Sequence, residues 1–262
     1  MLSPRYWIFF LIVLAAIGYS MLKPDTLTSA DSSDIITSPA DPFSYRYLEL
    51  DNGLKVVLIN TPKTDKAAAA MTVSVGSGDD PDNRNGLAHF LEHMLFLGTD
   101  PYPEPGEYQA YISRNGGSHN AFTAHAQTTY FYEIENDAMA GALDRFAPFF
   151  ISPRFDEAYV DREKNAVHAE FQSKLKDDFR RIFSAEKQAM NPEHPYAKFS
   201  TGNLDTLSDT ADSKVRDDLL AFYKEHYSSD RMTLVLAGDY PLEQLEEWAR
   251  SHFSAVPKRE IA

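Results

Sequence analysis

The chain has 262 residues, 43% of them hydrophobic, and a formal net charge of -14. That size and apolar content suit one or two packed domains and exclude wholesale disorder, while the acidic balance disfavours nucleic acid, whose phosphates it would repel. There is no cysteine, so disulfides and thiolate metal sites are excluded and any metal must be held by His, Asp or Glu.

In chain order, Arg5 and Lys23 bracket an uncharged, mostly apolar run from Tyr6 to Leu22. Its length favours an uncleaved signal-anchor, while Gly18-Tyr19-Ser20 leaves open a cleaved signal peptide. Residues 1–22 are therefore expected to export the rest of the chain, to the periplasm if the source is bacterial, and to attach it to the membrane if retained. Residues 23–42, rich in Ser, Thr, Asp and Pro, read as a flexible tether, and 43–262 as the folded domain. Asp51-Asn52-Gly53 splits residues 45–60 into a hairpin. Residues 67–80 predict a third strand running into a Gly/Asp turn. A helix is predicted over about 86–96, stopped by Gly98 and Pro101, and another before Gly116-Gly117. Residues 118–135 alternate as two strands. Helical patterns follow over about 138–150 and, with an interruption, 157–190. After a loop at 192–196 come a helix over 212–227, a strand over 231–240 and a last helix opened by Pro241. Strands that alternate with helices but begin as a hairpin predict an α+β fold, a mixed, mostly antiparallel sheet packed with helices.

The stretch GLAHFLEH, residues 86–93, carries the chemistry. A helix turns about 100° per residue, so His89, Glu92 and His93 share an arc of roughly 100° while Phe90 and Leu91 lie outside it. Two imidazoles one turn apart can grip one ion, and Glu92 can reach a water on it. This is H-x-x-E-H, the reversed form of the zincin motif. An amphipathic helix with histidines at its polar edge is the competing reading, and spacing alone leaves both open. A catalytic zinc needs a third protein ligand, here a His or an acid. Glu163 and Glu170, seven apart in REKNAVHAEFQ, share one helix face.

Three segments together, GLAHFLEHMLFLGT from Gly86, GGSHNAFTAHAQTTYFYEI from Gly116 and REKNAVHAEF from Arg162, resemble the insulinase/pitrilysin zinc metallopeptidases, family M16, over about residues 43–262. Glu170 follows His93 by 77 positions, a separation similar to the family's. The resemblance implies that His89, His93 and Glu170 hold one Zn2+ per domain, that Glu92 is the catalytic base acting on a metal-activated water, and that Glu163 stands behind the metal. It also implies that residues 118–123 form an edge strand whose backbone at Asn120 and Ala121 pairs with an extended peptide. The implied activity is zinc-dependent endopeptidase action on peptides or small proteins. The family's working unit has a second half closing over the site, so the expectation is a first domain alone, as a fragment or one subunit of a split enzyme. It would bind zinc and need a C-terminal half-domain or partner subunit for full activity. The alternative is a non-catalytic scaffold or peptide-binding subunit on the same fold. Outside the motifs, His119 and His125 are read as exposed strand histidines, His168 as solvent-facing, and His194, His226 and His252 as structural.

Overall fold

The structure is a computed structural model and describes residues 35–259. The expected export segment, 1–22, and most of the tether lie outside the described residues. Among the described residues no helix is long and apolar enough to cross a membrane.

Six strands form one sheet: β1 (Ser44–Glu49), β2 (Lys55–Asn60), β3 (Lys66–Val73), β4 (Ser118–Thr123), β5 (Thr128–Glu135) and β6 (Met232–Gly238), in the order β1-β2-β6-β3-β5-β4. Only the β2–β6 pairing is parallel; the other four are antiparallel. This is the mixed, mostly antiparallel sheet of the α+β expectation. The period of two decides which face is buried. Ala67, Ala69, Met71 and Val73 of β3, Leu234 and Leu236 of β6, and Tyr130, Tyr132 and Ile134 of β5 are buried in one hydrophobic cluster.

Seven helices accompany the sheet among the described residues: α1 (Leu87–Leu95), α2 (Glu107–Arg114), α3 (Met139–Phe146), α4 (Glu157–Lys174), α5 (Asp178–Ala189), α6 (Val215–His226) and α7 (Leu242–Phe253). α1, α3, α6 and α7 add Phe90, Phe146, Phe222 and Phe253 to the same cluster. The pattern over 138–150 resolves into α3 flanked by two 3-10 turns, the second carrying Pro148 at its start. The pattern over 157–190 breaks between α4 and α5, where the Asp177 carboxylate accepts the Arg180 N–H at 2.8 Å and caps the new helix. The helix expected from 212 begins at Val215, whose N–H donates to Asp209 Oδ1 at 2.9 Å.

Candidate metal centre

α1 starts where the backbone must do two things. Gly86 takes φ +91, and a Cβ there would lie 2.2 Å from the Gly202 Cα. Only glycine meets both demands cheaply. The backbone crossing at Gly86 and Gly202 carries the neighbouring Thr201 carbonyl to 2.7 Å from His89 Nδ1. Asp80 secures the same helix end, its carboxylate accepting the Gly86 and Ala88 N–H groups at 2.7 and 2.8 Å. Burial pushes the Asp80 carboxyl up to about 7, against the lowering effect of those two bonds. Arg84, 2% exposed, clamps the approach by donating to Asp218 Oδ2 at 2.6 Å and to the Ser213 carbonyl at 2.9 Å.

On α1 the rings of His89 and His93 stand perpendicular with centroids 4.8 Å apart. α4 brings Glu170 to them. Its Oε2 lies 3.4 Å from His89 Nε2 and 3.6 Å from His93 Nε2. One ligand atom from each of the three residues falls within 4.8 Å of the others. A ring nitrogen facing a carbonyl must donate to it, so His89 Nδ1 carries a proton and Nε2 is left to face Glu170. With the neutral ring, two acceptors then face each other, a pairing that a cation between them satisfies. The donor set thus fits a zinc ion held by two imidazoles and one carboxylate.

The surroundings orient these groups. Glu163 Oε2 lies 3.4 Å from His93 Nδ1 and is itself paired with Arg162 at 3.0 Å through Oε1. Burial alone would lower the His93 pKa; Glu163 and Glu170 outweigh it and hold the ring at about 9. The His89 and His93 rings beside it are the main influence that keeps Glu170 well below the usual carboxylate range. Its other oxygen pairs with Lys174 one turn on. Glu92 is 7% exposed, and burial raises its pKa. Its Oε2 accepts the Thr123 hydroxyl at 2.5 Å.

β4 lies at the edge of the sheet and pairs only with β5 among the described residues. Asn120 is exposed and Ala121 half-buried. The Ala121 N–H donates to Asn120 Oδ1 at 2.9 Å.

Three histidine expectations are corrected. His119 shares the inward parity of Ala121 and Thr123, so its ring packs 5.3 Å from Tyr108 and 5.6 Å from Phe96. Its Nδ1 is buried without a partner among the described residues, and burial lowers its pKa. His168 is half-buried and accepts the Leu204 N–H at 3.4 Å, because the segment before Thr206 folds over α4. His125 is also only half-buried, edge-on to Tyr196 at 5.1 Å. His252 pairs with Asp144 at 3.0 Å, a structural contact. Thr123, Thr201 and Lys174 were not foreseen. Asp80, seven residues before the helix, was not foreseen either; Lys174 alone carried a signal, as a cation one turn after Glu170 on a predicted helix.

The family model described as Insulinase (Peptidase family M16) matches residues 55–196, and that of the Peptidase M16 inactive domain matches 214–262. Insulin-degrading enzyme of Homo sapiens is 45% identical over 230 residues, covering 87% of this chain and 23% of its own. A-factor-processing enzyme of Saccharomyces cerevisiae is 44% identical over 244 residues, covering 91% and 24%. A crystal structure of pitrilysin aligns with a TM-score of 0.86 at 38% identity, covering 90% of this chain and 25% of that one. The chain thus spans about a quarter of the length of these relatives.

Proposed function

The chain belongs to the insulinase (M16) peptidase family, and from that premise we propose that it is the zinc-binding domain of an endopeptidase that cleaves extended peptides. The observation that carries this reading is the convergence of His89, His93 and Glu170, within 4.8 Å by their ligand atoms, beside the buried carboxylate of Glu92. Bound there, zinc supplies Lewis acidity toward the scissile carbonyl and acidifies water. The chain's own residues do the rest. Glu92, its proton affinity raised by burial, takes a proton from the attacking water and returns it to the leaving amine. The Thr123 hydroxyl holds one Glu92 oxygen and so limits the carboxylate's rotation. Glu163 steadies His93 through Nδ1, and the Thr201 carbonyl does the same for His89. The free edge of β4 offers backbone groups to a peptide strand, and Asn120 must release the Ala121 amide as the peptide pairs.

The relatives' greater length supports a second half-domain or partner subunit that closes over this site and excludes water. The scaffold and peptide-binding readings are not favoured, because all four groups of the H-x-x-E-H plus glutamate set are present. The apolar run at 6–22 supports export with membrane attachment; finding the tagged chain wholly in the cytosolic fraction would end that reading.

The direct test is Glu92→Gln, assayed with a candidate C-terminal half present. One zinc per chain should remain while peptide cleavage falls by about 10²- to 10⁴-fold. Cleavage at the unsubstituted rate would refute the assignment.

A further inference from the structure

An open groove of about 1190 Å³ runs along the α4–α5 arm beside the metal centre, though none of His89, His93 and Glu170 lines it. Phe171 and Lys174, within about one turn of Glu170, line it, and so does Thr201, whose carbonyl holds His89. Its electrostatics oppose those of the chain. Five cations face it, Lys174, Arg180, Arg181, Lys187 and Lys198, against two acids, Asp82 and Glu193. The chain as a whole has 25 basic and 39 acidic residues. Not all five are committed internally. Among the described residues the Arg180 guanidinium has no ion-pair or hydrogen-bond partner; only its backbone N–H is engaged, donating to the α5 cap Asp177. Among the described residues the Arg181 guanidinium reaches only the exposed Asp178, at 3.3 Å. Lys187 is held in place, its Nζ donating to the Lys198 carbonyl at 2.7 Å and lying over the Phe183 and Tyr196 rings at 4.9 and 5.4 Å, which places a cation on an aromatic floor.

We propose that this groove is a specificity subsite that selects acidic side chains in the peptide substrate on one side of the scissile bond. The inference rests on the peptidase reading and deepens it. A peptide whose reacting carbonyl sits at the His89–His93–Glu170 cluster leaves the centre in two directions. β4 reads its backbone without regard to sequence, whereas the groove begins on the helix that carries Glu170. Aspartate or glutamate side chains entering it face the exposed Arg180 and Arg181, with aromatic and aliphatic surface from Phe171, Phe183 and Leu175 among the lining. Exposed ion pairs are individually weak and screened by salt, so the preference is modest and salt-sensitive.

The test measures binding to the zinc-loaded Glu92→Gln chain of a short fluorescent peptide carrying several aspartates, and of its asparagine counterpart. The aspartate peptide should bind roughly three- to tenfold more tightly at low salt. That ratio should fall toward one in about 0.5 M sodium chloride, and likewise in the doubly charge-reversed Arg180→Glu, Arg181→Glu chain. Lysine at both positions should restore most of it. Both positions are exposed, so a preserved melting temperature checks the fold of each variant. Equal binding of the two peptides, binding of neither, or a preference that survives charge reversal overturns the proposal. Cleavage by the unsubstituted chain with a C-terminal half is scored separately. Aspartate preference without cleavage supports the groove and refutes the peptidase reading; cleavage without preference does the converse.

Discussion

α1 and α5 are both amphipathic, and they meet opposite fates. α1 has nine residues, of which seven are buried. α5 has twelve and buries none, leaving Phe179 75% and Ile182 69% exposed. α4 lies between these extremes, with Val160 and Val167 as its only buried residues. Glu170 sits beyond Val167, on the part of the arm that the core no longer grips. The two histidines are thus positioned by the core, and the carboxylate is delivered by an arm. Metal binding across the pair would tie the arm to the core, because a group that binds only the assembled site stabilises that assembly.

This contrast can be tested, beginning with the support of α1. Asp80 has a folded pKa of about 7 against an ordinary 3.8. Between those values the folded chain holds a proton that the unfolded chain has lost. The contribution is fully present below about pH 4 and lost as pH rises through about 7, up to about 4 kcal/mol. Asp80→Asn should remove that slope in denaturant melts at about pH 4.5 and about pH 8. Equal slopes in both proteins would show that α1 is not anchored through a buried titrating group. Leu91→Ala, in the α1 core face, should cost about 3 kcal/mol in the same melts; a loss under about 1 kcal/mol would mean that the histidine helix is not core-held. Glu163→Gln should weaken zinc binding by about 10- to 100-fold in competition with a chelator, with little change in melting of the metal-free chain. At the other end of the scale, Ile182→Ser on α5 should change stability by no more than about 0.5 kcal/mol. A larger loss would show that the arm packs against the core after all.

Where sequence reading succeeded and where it failed follows the range of the forces involved. The shared face of His89, Glu92 and His93 was legible because helical periodicity is local. The sheet class was legible because the turn at Asp51–Gly53 and the alternation in β3, β5 and β6 are local as well. The break between α4 and α5 was only half visible, since Asp177 caps α5 within a continuous polar pattern. His119 was misread because it lies on the sheet's edge strand; strand parity puts it beside Ala121 and Thr123, facing Tyr108 and Phe96.

The sequence by itself determined the elements, the H-x-x-E-H face and the absence of thiolate ligands, all properties of residue type and short-range spacing. Tertiary structure decided what stands around that face. It set Glu170 against both histidines, the Thr201 carbonyl against His89, the Thr123 hydroxyl against Glu92, and five cations around one groove. Those contacts join residues dozens of positions apart, and no local periodicity encodes them. They arise because the sheet and α1 bury a common core, and because the glycine pair at 86 and 202 lets two backbones touch.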